Sequence, residues 1–350
     1  MGRVVRFVAP GDVAVVSYDD PPLSSSSVRI ETLYSGISAG TELTAYRGTN
    51  PYVHKRWDAW RRVFEPGRIS FDFPIDGWGY EEVGRVVEVG PNAREVEVGD
   101  VIFGTWGHRS THIVPWHWAA RRRLPPTLDP VAGVFSHIGA IAMNAVLDAD
   151  IHVGEVVAVF GQGVPGQIVS QLARLNGGTV IAVDAVPGRL ALSERLGAQH
   201  TVDVTEQSPA QYVKDLTGGR GADVSIEISG SYLALNEAIR TTAYNSRVIV
   251  SGFFQGEANG LSLGEEFHHN RVCLICSQIS GVGPHLEGRW DVDRLQRTVI
   301  DLAAAGRLDL PSLVSHRVPF EEAAEAFRLL DRHPEETVQV VLEFAAQAMR

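Results

Sequence analysis

The sequence predicts an α/β chain in two parts, one β-rich and one built on a doubly wound parallel sheet. Three observations carry this. Residues 1–125 break into short alternating runs, VRIETLYSGI, EVGRVVEVG, DVIFGTW and THIVPW, separated by turns such as VGPNAREVEVGD. That is the pattern of strands with one buried face. Beyond about 150, apolar strands and amphipathic helices alternate, which calls for parallel strands joined by crossovers. At the first of these crossovers, EVVAVFGQGVPGQIVSQLARL sets three glycines between a strand and a helix.

Taken in order, the β-rich part is interrupted by NPYVHKRWDAWRRVFEPGR at 50–68, dense in aromatics and charge and too long for a plain turn. Near 127 the pattern changes, and DPVAGVFSHIGAIAMNAVLDA reads as a buried helix rich in Ala and aliphatic residues. The alternation follows: strands EVVAVF, TVIAVDA, HTVDV, ADVSIEIS, RVIVSGF and VCLICSQ, with helices from 164, PGRLALSERLGA, QYVKDLT and SYLALNEAIRTTA between them. After 284 come two helical patterns, DVDRLQRTVIDLAAAGRL and FEEAAEAFRLLDR, and a last strand VQVVLEFA. There is no internal repeat and no low-complexity tract.

The glycines Gly161, Gly163 and Gly166 form G-x-G-x-x-G, and the next strand ends in Asp184, 18 residues past the third glycine. Gly161 permits the tight turn, Gly163 admits a pyrophosphate, and Gly166 lets the helix close on the sheet. Val164 and Pro165 open the helix, whose free N–H groups and dipole favour phosphate; Pro165 is tolerated because that position needs no donor. Asp184 is expected to accept from both ribose hydroxyls and to repel a 2′-phosphate, so NAD is expected over NADP, a preference that Arg189 weakens. The bland alternative is a βαβ turn with no ligand, against which strand, glycines, helix and acid stand in register.

The bulk numbers set bounds. The chain has 350 residues, 44% hydrophobic and 21% charged, with a formal net charge of −11. The length suits two domains with their own cores, and the acidic balance argues against nucleic acid and anionic membrane as partners. A small-molecule substrate is the expected partner. MGRVVRFVAPGDVAVV is too broken by charge, Pro and Gly for a signal peptide, and no apolar run approaches the length of a membrane span. The two cysteines, Cys273 and Cys276, lie in a β-branched segment, where residues three apart face opposite sides. They are read as free, buried thiols, which fits a reducing cytoplasm.

A β-rich first part, a nucleotide-binding second part and a returning tail resemble the medium-chain dehydrogenase/reductase superfamily over essentially the whole chain. SGISAGTE at 35–42 is similar to that family's G-I-C-x-T-D, and GYEEVGRVVEVG at 79–90 to its G-H-E-x-x-G-x-V-x-x-V-G. VGD at 98–100 also matches. The resemblance implies a GroES-like catalytic domain over 1–135 and 285–350, a Rossmann NAD-binding domain over 136–284, and a homodimer or homotetramer. It also implies that the turn at Gly252 and Phe253 lines the nicotinamide pocket, with Ser229 at the end of the preceding strand. The departures concern the metal. Zinc-dependent members carry Cys where Ser38 stands, His where Tyr80 stands, and a third ligand near Ser136; the four-cysteine structural lobe is missing. Hydroxyl and phenol are poor zinc ligands beside thiolate and imidazole, so no zinc is expected. YSGIS-x-GTE with GYE is similar to the zinc-lacking 3-hydroxyethyl bacteriochlorophyllide dehydrogenase branch, a resemblance that implies oxidation of a secondary alcohol with NAD.

Without a metal, proton removal and oxyanion stabilisation fall to side chains. Tyr80 is the first candidate, and its phenol needs a nearby cation to act as a base near neutrality. Lys55 is the candidate cation, one of two lysines among 31 basic residues; the plain alternative is a solvated surface lysine. His137 is a candidate proton acceptor or a satisfied helix histidine. Ser38 and Thr41 are a candidate relay or ordinary turn hydroxyls. Glu81 orients Tyr80 or Lys55, or caps a turn. His108 and His112, four apart on extended chain, are about 13 Å apart along a strand; a non-standard metal site from Glu81, His108 and His137 is the remaining metal option. Ser277, Gln278, Trp57 and Trp106 are candidate substrate contacts, with aromatic packing the plainer reading of each tryptophan. The expected activity is zinc-independent, NAD-dependent oxidation of a secondary alcohol in a polyol, sugar or ring. The alternatives are a quinone or enone reductase of the same fold and a non-catalytic nucleotide-binding protein.

Overall fold

The computed structural model describes residues 1–345. The chain divides into two compact units, 1–137 with 314–350 and 138–313; residues 346–350, the end of the expected 285–350 segment, lie outside the described residues.

The first unit opens with strands β1 (Gly2–Ala9), β2 (Asp12–Tyr18) and β3 (Ser27–Ile37), then helix α1 (Ala39–Tyr46). GTE, expected in a loop, is the first turn of this helix, with Ser38 as its N-cap. The stretch at 50–68 folds into a short hairpin, β4 (Arg56–Asp58) against β5 (Val63–Glu65). There follow β6 (Ile75–Asp76), β7 (Glu82–Val89), β8 (Val101–Gly104), β9 (Thr111–Pro115) and helix α2 (Trp116–Ala120). Helix α3 (Phe135–Ala149) carries the chain from one unit to the other.

The second unit alternates strand and helix as far as β14: β10 (Val156–Phe160), α4 (Val164–Leu175), β11 (Thr179–Asp184), α5 (Pro187–Arg195), β12 (His200–Asp203), α6 (Pro209–Leu216), β13 (Ala222–Glu227), α7 (Tyr232–Thr241), β14 (Thr242–Val250) and then β15 (Cys273–Cys276). The strand order is β12-β11-β10-β13-β14-β15, every pair parallel. This is the doubly wound arrangement whose order reverses beside the first strand. Its core is aliphatic, with Ala158, Ile181, Val183, Ile239 and Val248 buried, as a sheet covered on both faces requires.

Helix α8 (Val292–Ala304) also belongs to the second unit. The return to the first unit comes at Val314, not near 285, because α8 packs Val299 so closely on Gly139 of α3 that a Cβ there would stand 2.5 Å from Val299 Cγ1. Strand β16 (Val314–Pro319), helix α9 (Ala323–Arg332) and β17 (Gln339–Glu343) then complete the first unit. Its main sheet runs β16-β17-β3-β7-β8, with β9 on β3; β2-β1-β6 form a second sheet. Phe7, Tyr46, Phe320 and Phe327 centre one core, and Ile30, Val86, Ile102 and Trp106 another.

Two sequence expectations are corrected here. Cys273 and Cys276 are free but exposed, because β15 is an edge strand. One segment, Pro130–Ala149, does have the length and apolarity of a membrane span. It is 78% buried inside the structure, which is how a core helix meets the same criterion.

Candidate functional site

In the first unit, β3, α1 and the start of β7 bring the two recognition loops together. Ser38 ends the β3 run and Tyr80 stands two residues before β7, and Tyr80 OH lies 2.5 Å from Ser38 Oγ. The phenol also donates to Thr41 Oγ1 at 3.2 Å. The His137 ring meets the Tyr80 ring edge to face, centroids 4.9 Å apart. Four predicted residues, Ser38, Thr41, Tyr80 and His137, thus form one cluster.

Burial sets their protonation. Desolvation first, then the charge of Glu81, pushes the Tyr80 pKa above the ordinary phenol value, outweighing the hydrogen bonds from Ser38 and Thr41. Tyr80 therefore stays protonated and works as a hydroxyl, not as a phenolate. Burial lowers His137 to about 4, so its imidazole is neutral near pH 7. Glu81 is fully buried, with the Gln339 side chain beside it. Burial first, then the charges of Glu42 and Glu82, raise its pKa well above the carboxylate range.

Lys55 is not brought to Tyr80. It is exposed beside the hairpin, and Lys55 is not among the charges acting on the phenol. The reason is local: Lys55 N donates to Pro51 O and Ser70 N to Lys55 O, which folds this stretch on itself.

Beneath the cluster lies a buried network that sequence reasoning missed except for His108, weighed there only as a metal ligand. Glu42 accepts from Ser38 N at 2.9 Å and from His108 Nε2 at 2.5 Å. His108 Nδ1 meets Ser35 Oγ at 2.6 Å, and Ser35 Oγ donates to Glu82 Oε1 at 3.1 Å. Glu82 Oε2 accepts from Trp106 N at 2.6 Å. Ser35, Glu42, Glu82 and His108 are all completely buried. The one available signal was the acid four residues after Ser38, at the spacing that lets a first-turn carboxylate reach back to the N-cap.

The donor set does not fit zinc. A hydroxyl and a phenol replace thiolate and imidazole, and they are hydrogen-bonded to each other. Ser136, near the expected third ligand, presents a buried hydroxyl with no hydrogen-bond partner. Glu81, His108 and His137 do not converge. Among the described residues, the ligating atoms of three His, Cys, Asp or Glu side chains lie within 4.8 Å of one another at His333, Glu335 and Glu336, all exposed.

In the second unit, the glycine turn is shaped as a phosphate cradle. Gly161 has φ +93°, and a Cβ there would strike Ser229 at 2.7 Å; a Cβ on Gly166 would stand 1.8 Å from Gly161 O. Gly163, the N-cap of α4, has no neighbour nearer than Pro165 Cδ at 4.0 Å, so its backbone faces open space. Val164 and Pro165 begin the helix. Asp184 ends β11 and accepts from Gln162 N at 2.6 Å and Val186 N at 2.9 Å. Arg189 lies in α5. Ser229 donates to the buried Glu227, Gly252 packs on Gly230 N, and Phe253 is exposed. This set fits a dinucleotide: free N–H groups at a helix start, backbone without side chains, and an acid on the second strand.

Of the expected substrate contacts, Trp57 is 37% exposed in the hairpin, its ring against Phe64. Trp106 is core, its ring stacked on His112 and its Nε1 donating to Thr32. It is not a pocket wall, because its strand neighbours bury it. Ser277 is buried and accepts from Asn144 Nδ2 at 3.2 Å, while Gln278 is exposed and caps Ser280 N.

The sequence family described as zinc-binding dehydrogenase matches residues 165–291. That match lies wholly in the second unit, away from Ser38 and Tyr80. D-guloside 3-dehydrogenase of Escherichia coli (strain K12) is 29% identical over 96% of this chain and 98% of its own. L-threonine 3-dehydrogenase of Thermococcus kodakarensis is 26% identical over 90% and 91%. A solved putative zinc-binding dehydrogenase from Sinorhizobium meliloti, bound to NADP, covers 98% of this chain and 99% of its own with a TM-score of 0.78 at 22% identity, and shares the fold. Nucleotide cradle, sheet order and these chain-long likenesses agree: the chain is an NAD(P)-dependent oxidoreductase, similar to medium-chain dehydrogenases over nearly its whole length.

Proposed function

We propose that the protein is a zinc-independent, NAD-dependent dehydrogenase of a secondary alcohol in a polyol, sugar or ring. The observation that carries this is the Ser38–Tyr80 hydrogen bond at the two positions where zinc-dependent relatives place metal ligands. D-guloside 3-dehydrogenase, similar over nearly the whole chain, supports a sugar hydroxyl as the reacting group.

The expected cofactor is held by Gly161, Gly163, Val164, Pro165 and Gly166 at the phosphates and by Asp184 at the ribose. When bound, NAD supplies the ring that takes the hydride with its electron pair. The chain's own residues handle the proton. A neutral phenol cannot simply remove it. Tyr80 can accept the substrate hydroxyl proton while passing its own to Thr41 or Ser38, both within hydrogen-bond reach, which in turn releases its hydroxyl proton to solvent. The reverse hop returns the proton in reduction. In either direction, the Tyr80 hydroxyl donates to the oxygen where negative charge develops. Asp184 favours NAD because a 2′-phosphate would meet its carboxylate. A cytoplasmic homodimer or homotetramer completes the reading.

The test is NAD reduction by a panel of D-gulosides, polyols and cyclic alcohols in the presence of a zinc chelator. Turnover of one of them at undiminished rate supports the reading. Oxidation of NADPH by quinones or enones, with no alcohol turned over, supports a double-bond reductase. NAD binding without any turnover supports a non-catalytic role.

A further inference from the structure

We infer that His108, as a doubly protonated imidazolium, is the positioning residue that holds Ser38 and Tyr80 in register, through Glu42 on one side and Gly79 on the other.

Ser35 has one hydroxyl proton, and it donates to Glu82 Oε1. With Glu82 ionised, a state that burial opposes and that His108 and the Trp106 N–H favour, the 2.6 Å contact between Ser35 Oγ and His108 Nδ1 takes its proton from the ring. Nε2, 2.5 Å from Glu42 Oε2, faces a carboxylate oxygen and must donate as well. Ser38 N takes the other oxygen of Glu42, and Trp106 N the other oxygen of Glu82. With both ring nitrogens protonated, every carboxylate oxygen of Glu42 and Glu82 accepts a hydrogen bond and no donor is left over. Burial alone would lower the His108 pKa; the charge and hydrogen bond of Glu42, with Glu82 behind, raise it instead.

The geometry then runs to the reacting cluster by two routes. Glu42 grips the backbone N–H of Ser38, whose Oγ meets Tyr80 OH. On the other side, the His108 ring lies against Gly79, the residue before Tyr80. A Cβ on Gly79, where φ is +140°, would stand 2.9 Å from His108 Nε2. The remaining neighbours leave the ring no freedom. Phe327 meets it edge on at 6.0 Å, Val5 N donates to the His108 carbonyl at 2.9 Å, and the ring is completely buried. The buried Glu81, the third carboxyl of this group, lies beside Gln339. His108 touches neither Tyr80 nor Ser38 directly, so it is a positioning residue and not a catalytic one.

The inference rests on the reading above only in taking Tyr80 as the working group, and its test needs no substrate. Histidine is labelled with 15N, and the wild-type spectrum near pH 7.5 is compared with that of His108→Gln. Two protonated ring nitrogens at His108 are expected; a neutral tautomer overturns the inference. In the proton spectrum, the hydrogen-bonded Tyr80 hydroxyl is identified by its loss in Tyr80→Phe. His108→Gln keeps a donor aimed at Glu42 and is expected to retain that resonance. His108→Asn reaches only Ser35 and is expected to lose or broaden it, and kcat with any alcohol turned over should fall tenfold or more at unchanged NADH affinity. Equal behaviour of the two variants overturns the inference. Should His108→Asn fail to fold, judged by near-ultraviolet circular dichroism, the wild-type nitrogen spectrum still decides. A failed alcohol panel leaves both spectra readable, so the two readings fail separately.

Discussion

Tyr80 donates its hydroxyl proton to Thr41 Oγ1 at 3.2 Å while lying 2.5 Å from Ser38 Oγ, so one phenol is tied to both ends of the same helix start. That bond pattern makes the proton path short and its loss measurable. Tyr80→Phe removes the hydroxyl and keeps the ring against His137. Its kcat should fall about a hundredfold or more, the scale of a lost proton-transfer group, with NADH affinity unchanged. Steady-state kinetics with NADH titration checks this; a fall below about threefold would remove Tyr80 from the chemistry.

Gly163 and Gly166 should respond oppositely to alanine. Gly163 has open space and φ −68°, so Gly163→Ala should fold like the wild type yet bind NADH at least tenfold more weakly, its methyl occupying the pyrophosphate's approach. Gly166→Ala drives a Cβ to 1.8 Å from Gly161 O and should lower the melting temperature as well. Thermal melts beside NADH titrations separate the two outcomes.

The proposed preference for NAD rests on Asp184. Asp184→Asn keeps an oxygen for Val186 N or Gln162 N and drops the charge. The ratio of NADH to NADPH affinity should fall about tenfold or more, because one charge repulsion against phosphate disappears while Arg189 stays. An unchanged ratio in paired titrations would show that the carboxylate does not select.

Stability should carry two opposed pH windows. Burial first raises Glu227 to about 7 from 4.5, despite its hydrogen bonds from Ser229, Gly230 and Ser231. The folded state thus holds that proton more tightly than the unfolded chain. Its contribution is full below about 4.5 and is lost as pH rises through 7. At about 1.4 kcal/mol per pKa unit, the difference is about 3 kcal/mol. Burial lowers His112 and His137 to about 4 from 6.5, with Arg109 adding to His112. Their contribution is present above 6.5 and is lost as pH falls towards 4. Glu227→Gln should therefore gain stability over the wild type at pH 8 relative to pH 5. Denaturant melts at the two values check the sign.

Much of this was legible in the chain. Each strand and helix of the second unit announced itself through period and glycine, because a sheet covered on both faces admits almost only aliphatic residues. The loop carrying Ser38 and the one carrying Tyr80 were legible as a pair from their resemblance to two motifs of one family. The Glu42–His108–Ser35–Glu82 network was not, since its members come from β3, α1, the start of β7 and the bend before β9, and local sequence says nothing of long-range polar contacts. Lys55 misled for the converse reason. A rare residue type near a site in sequence was folded away by the backbone bonds of Pro51 and Ser70. Trp106 misled too, because an aromatic in a β-rich part packs as readily into a core as around a ligand.

The central claim is that a phenol and two hydroxyls do here what a metal does in zinc-dependent relatives. The most direct measurement is zinc content by mass spectrometry on protein purified without chelators, with NADH binding followed in the same sample. The account predicts less than about a tenth of an equivalent of zinc with NADH bound, the level expected when hydroxyls stand at the positions of thiolate and imidazole. A full equivalent of tightly held zinc would contradict it and return Tyr80 to the role of a neighbouring ring.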